Sequence, residues 1–109
     1  MKRLGALLAV VVATAGAVTG CGPVQSTAYL LDAEVQIEAA RTAGAEKLAP
    51  YEWTAANLYI HKAREEVGYS DFETGVEFAQ KASRFARDAR SKAMSATSKG
   101  ELVPPTRTP

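Results

Sequence analysis

The chain has 109 residues, with 13 basic and 12 acidic side chains, one cysteine and one histidine. That length allows one small domain. The near-neutral charge gives no support for nucleic-acid binding, and a lone cysteine excludes an internal disulfide framework.

Met1-Lys2-Arg3 opens the chain and is followed by an almost uncharged run from Leu4 to Val18. A basic start, a short apolar core and small residues before a cut site describe a secretory signal peptide. The run is about 15 residues, short of the roughly 20 that cross a bilayer as a helix. Residues 1–20 are therefore expected to be cleaved. Losing Lys2 and Arg3 from the 13 basic residues leaves 11 against 12 acidic ones, a mature net charge of −1.

The run ends in Val18-Thr19-Gly20-Cys21. An aliphatic residue and two small ones before a cysteine resemble the lipobox of bacterial lipoproteins. The resemblance implies cleavage between Gly20 and Cys21, a thioether-linked diacylglycerol on Cys21, and an acyl chain on its new amino group. Those chains are the only non-protein groups expected, with no cofactor and no metal. Each buried methylene adds about 0.8 kcal/mol, so two or three chains anchor a protein durably. Gly22, where sorting to the inner membrane commonly uses Asp, implies the periplasmic face of the outer membrane. Residues 21–26 read as a lipidated tether of up to about 17 Å when extended.

The helical domain is expected over residues 27–96. A first helix is predicted from Ser26 or Thr27, either able to cap it. Asp32 and Glu34 would then lie near its positive end. Leu30, Ala33, Ile37 and Ala40 form its apolar stripe, and Gly44 is its stop. The pattern leaves Ala45 to Ala49 open between helix and loop. Pro50 suits the first turn of a second helix, running to about Val67 with Gly68 beyond it. Ala56, Tyr59, Ala63 and Val67 mark its inner face, broadened by Leu58 and Ile60.

The third predicted helix opens on Ser70-Asp71-Phe72-Glu73, which has the form of a capping box between Ser70 and Glu73. Phe72, Gly75, Ala79, Ala82, Ala86, Ala89 and Ala93 follow at steps of 3, 4, 3, 4, 3 and 4, a heptad seam of mostly small residues. Val76, Phe78 and Phe85 flank it. The helix is expected to fade after about Met94. Residues 97–109 form a Pro-rich, polar tail expected to be disordered. The short break between the second and third helices predicts an antiparallel hairpin.

The fold class is all-α: a small three-helix bundle following a signal peptide. Residues 55–86 resemble a single tetratricopeptide repeat, with the Gly68-Tyr69 turn, Phe72 and the small residues after it at the matching places. From Ser26 to Ala93 the chain resembles the bacterial lipoprotein domain known as domain of unknown function 4398. Its lipidated start, Ala-rich first helix ending near Gly44-Ala45, Ala49-Pro50 and spaced alanines carry that resemblance. Relatives can bear a peptidoglycan-binding domain like that of outer-membrane protein A. No counterpart is seen here, and the family implies no activity.

An alanine seam buries little apolar area per residue. Gly75, Ala79, Ala82, Ala86 and Ala89 are accordingly expected to meet an envelope protein or a second copy. Lys81, Arg84, Arg87 and Arg90 form a basic row in a segment, 81–109, with a net charge of +5 against −6 for 22–80. They are candidates for an anionic ligand such as a lipid headgroup, or form a solvated outer face. Tyr51, Trp53, Tyr59 and Tyr69 could stack on glycan rings or fill the core. His61 has no second ligand in view. With no acid/base pair, nucleophile motif or phosphate loop, no enzyme is expected. The expected role is a membrane-anchored structural or adaptor lipoprotein. The alternative is a binding lipoprotein for peptidoglycan glycan or anionic headgroups.

Overall fold

The computed structural model describes residues 2–5 and 22–101. Gly20, Cys21, the rest of the apolar leader and residues 102–109 of the tail lie outside them. All regular structure among the described residues is α-helical. Beyond the exposed helical residues 2–5 come α1 (Gly22–Thr42), α2 (Ala45–Leu48), α3 (Pro50–Gly68) and α4 (Phe72–Glu101).

Helix α1 begins four residues before Ser26, so Gly22–Ser26 is not an extended tether. Pro23 fits the first turn, where its missing N–H has no partner to lose. Ser26 and Thr27 do not cap. Their hydroxyls donate back to the Pro23 carbonyl at 3.0 and 2.8 Å. A helical rise shortens these five residues from about 17 Å to about 7 Å. Asp32 and Glu34 consequently sit mid-helix, away from the dipole's positive end. They are held by other helices: Ser83 donates to Asp32 at 2.8 Å, and Arg64 pairs with Glu34 at 2.5 Å.

Gly44 ends the segment as expected, at φ 81°. The connector resolves into the single turn α2. The reversal after α3 differs from expectation. Ser70, at φ 65°, takes the left-handed position. Its N–H donates to the Val67 carbonyl at 3.0 Å and that of Asp71 to Glu66 at 2.9 Å, the pattern of a Schellman close. Ser70 is thus spent ending α3 and cannot cap α4. Asp71 caps instead, accepting the Thr74 N–H at 3.1 Å. Helix α4 also runs past Met94 to Glu101, so the first residues of the expected tail are helical.

Packing directions follow from the contacts. Phe72 approaches Gly22, Ser83 meets Asp32, and Ala89 and Ala93 cluster with Ala40, so α1 and α4 run parallel. Tyr59 meets Phe78, Tyr51 meets Phe85 and Glu52 meets Lys92, so α3 runs antiparallel to α4. One core cluster joins Ala33, Ile37, Ala56, Ile60, Ala82 and Ala86. A second joins Ala40, Ala45, Ala49, Ala89 and Ala93. Of the buried apolar residues described, all but Ile37 and Ile60 are alanine. Small side chains let the helix backbones approach closely, and Leu30, Trp53, Tyr59 and Phe85 close the edges.

This packing corrects the expectation for the seam. Ala79, Ala82, Ala86 and Ala89 are all 0% exposed, and Gly75 is buried beneath α3. The partner that the seam required is supplied by α1, α2 and α3 of the same chain. These five residues offer no surface to a second molecule.

Candidate functional site

The remaining aromatic bulk gathers in the crevice between α3 and α4. On α4, Phe78, Lys81 and Phe85 stand at steps of three and four and so share one flank. Tyr51, Ala55 and Tyr59 of α3 face them at four-residue steps. Tyr59 stacks on Phe85 with centroids 5.4 Å apart and on Phe78 at 6.0 Å. Tyr51 meets Phe85 edge-on at 6.3 Å. The Lys81 ammonium lies 5.3 Å from the Phe78 ring and 5.8 Å from that of Tyr59, while pairing with Glu77 at 2.9 Å.

Tyr51, Tyr59 and Phe85 of this ladder line an open groove of about 590 Å³, together with Pro50, Thr54, Ala55 and Leu58. Tyr51 and Leu58 stay 71% and 65% exposed on its rim. Trp53, Asn57, Ile60 and Arg64 of α3 turn instead toward α1. The groove therefore opens on the side of the hairpin away from α1. Near its lower end Glu52 pairs with Lys92 at 3.0 Å. Glu52 lies in the first turn of α3 and accepts a bond from its own free backbone N–H. That bond, and then Lys92, hold its carboxyl below the ordinary range. The groove lining is apolar, and the two lysines near it, Lys81 and Lys92, are each paired with a carboxylate. It suits apolar side chains of a partner and holds no acid/base pair.

The basic row divides. Lys81 belongs to the aromatic ladder. Arg84 and Arg87 lie with Tyr29, Asp32, Gln80 and Ser83 on the α1 side, where Arg87 stands 3.9 Å from Asp32. Arg87 and Arg90 share a shallow cleft of about 540 Å³ with Gln36, Ser91, Met94, Ser95 and Ser98. Among the described residues Arg84 and Arg90 form no ion pair. The four aromatics singled out in the sequence are likewise separated. Tyr51 and Tyr59 reach the groove. Trp53 is half-buried on the α1 side, with the Arg41 guanidinium 5.6 Å from its ring centre. Tyr69 is 76% exposed at the hairpin turn. His61 is exposed on α3, and the described residues hold no cluster of three metal-ligating side chains.

Sequence reasoning passed over the groove itself. Its signal was the pair of apolar residues left off the seam, Leu58 and Phe85, which read as added core bulk.

Residues 28–103, well over half of the chain, match the family described as a domain of unknown function, DUF4398. The chain belongs to this family. In this DUF4398 chain the matched span starts in the second turn of α1 and covers α2, α3 and all of α4. Groove, alanine seam and basic row all lie inside it, and Cys21 lies outside. Comparison with curated proteins and with solved structures matches nothing.

Proposed function

We propose that this DUF4398 chain is a lipid-anchored adaptor on the periplasmic face of a bacterial envelope membrane. It holds an envelope protein through the α3–α4 groove and catalyses no reaction. The observation that carries this reading is the exposed aromatic groove. A helix of a partner could place its own apolar row along Tyr51, Leu58 and Phe85. Tyrosine is enriched among the residues that carry most of the energy of a protein contact. Val18-Thr19-Gly20-Cys21 supports the anchor, with a diacylglycerol and an N-acyl chain on Cys21. Gly22 favours the outer membrane. The same reading takes α1, α3 and α4 as a three-helix bundle whose α3–α4 hairpin is one tetratricopeptide-like unit. The antiparallel contacts of α3 with α4 support it.

Crosslinking in the native envelope followed by mass spectrometry tests the adaptor role. The reading expects adducts to one protein mapping to residues around Pro50 to Tyr59 and Phe85. Adducts scattered evenly over the surface would argue against it.

One observation favours a second reading. Arg87 and Arg90 meet Ser91, Ser95 and Ser98 at one cleft, which suits an anionic headgroup or cell-wall anion. Salt-sensitive pull-down on purified peptidoglycan or lipopolysaccharide, lost in Arg87→Ala/Arg90→Ala, would favour it.

A further inference from the structure

One surface of α1 is used by none of these contacts. Val24, Leu31 and Val35 are 72%, 57% and 64% exposed, and Ala28 between them is exposed too. They follow one another at steps of 4, 3 and 4, so they form one line along the helix, opposite the buried line of Ser26, Ala33, Ile37 and Ala40. Cys21 stands three residues before Val24 and continues the same spacing in the sequence. We infer that this outer face of α1 lies on the lipid surface to which Cys21 is anchored. The inference rests on the lipoprotein reading above.

Three further features point to lipid. Residues 22–31 carry no charge at all, so the three turns nearest the anchor can enter the headgroup region without stranding an ion. The first acids, Asp32 and Glu34, lie off this line on the two flanks of the helix, where they are exposed and bonded to Ser83 and Arg64 of the neighbouring helices. The apolar line then stops, because Glu38 and Thr42 occupy its next two places. It spans only about 17 Å of helix, all of it next to Cys21. A seam for a second copy would need to be sustained for three or four heptads. A short apolar face beside a lipid anchor instead lets the helix rest in the interface and rise from it as charge returns. Since α1 covers one side of the α3–α4 hairpin, this orientation turns the groove away from the membrane, toward the periplasm.

The test uses the lipidated full chain on vesicles of phosphatidylethanolamine and phosphatidylglycerol. With Cys21 acylated, Leu31→Cys or Leu58→Cys gives the only free thiol for an environment-sensitive fluorophore. Both sites are exposed, so neither change disturbs the core. The inference expects blue-shifted emission at position 31 and iodide quenching several-fold weaker than at position 58. Quenching at 31 equal to or stronger than that at 58, on protein shown by intact mass to be acylated, overturns it while leaving the anchor in place. Shielding at 31 that rises with protein density at fixed lipid overturns it in favour of a second copy. An unacylated Cys21 overturns both this inference and the anchor.

Discussion

Val67 sits directly over Gly75, so closely that a Cβ added at Gly75 would stand 2.5 Å from Cγ2 of Val67. The same added Cβ would also stand 3.4 Å from the Ala63 carbonyl oxygen and the Val67 backbone nitrogen, so α3 and α4 approach closely at the closed end of their hairpin. Alanine normally stabilises a helix interior over glycine by about 1 kcal/mol. Here the sign should reverse. Gly75→Ala should lower stability by about 1–3 kcal/mol through overpacking. Adding Val67→Ala should recover part of the loss, as measured by urea unfolding of both variants.

The alanine core makes a second prediction. Ala82 and Ala86 face Ala33, Ile37, Ala56 and Ile60 with no exposure. Ala86→Leu should push the helices apart and cost about 1–3 kcal/mol. The same change on a seam left open for a partner would be close to neutral for the isolated chain. Thermal unfolding of the isolated chain separates the two outcomes.

The reversal at Ser70 makes a third. A left-handed position favours glycine, by about 1–2 kcal/mol relative to a side chain with Cβ. Ser70→Gly should therefore raise the unfolding midpoint. Asp71→Ala should lower stability by about 1 kcal/mol by removing the cap of α4. A capping box on Ser70 would give the opposite sign for Ser70→Gly, so denaturant titration discriminates them.

The Glu52–Lys92 pair predicts a pH response. Its backbone bond and Lys92 keep Glu52 ionised in the folded chain below the ordinary value of 4.5. The folded state then binds its proton less readily than the unfolded state does. The stability this contributes is complete above the unfolded value and is lost as pH falls through the lower folded one. Glu52→Gln should flatten that part of the stability curve, in the acid range only, as followed by thermal melts at a series of pH values.

The helices were legible in the sequence because their periodicity survives the substitution of alanine for larger core residues. The seam traced the buried line of α4 from Gly75 to Ala93, with Phe72 half-buried at its start. Its partner was not legible. A 3-4 spacing says which face is covered and not which chain covers it, and counting apolar area made an alanine core look incomplete. Only the close approach of α1 and α3, set by residues such as Gly75, shows that it closes internally. The start of α1 was hidden because Gly22-Pro23 has the composition of a turn, although proline fits a first helical turn equally well. Ser70 fitted a motif that required it to cap, while the three-residue reversal, Tyr69 to Asp71, required it to be left-handed. The groove was hidden because Tyr59 and Phe85 serve both as core edge and as groove lining, a distinction that depends on what α1 leaves uncovered.

The central claim is an adaptor that is held at the membrane through Cys21 and grips a partner through the groove. A photo-reactive residue at Leu58 in intact cells tests both halves at once, read as the yield and mass of its crosslinked product. With Cys21 present, one protein adduct of defined mass should form. It should fall sharply in Cys21→Ser, and also in Tyr51→Ala, a change at an exposed site that removes one edge-on contact with Phe85 and leaves the buried core untouched. No protein adduct at Leu58, or an adduct indifferent to Cys21→Ser, would contradict the account.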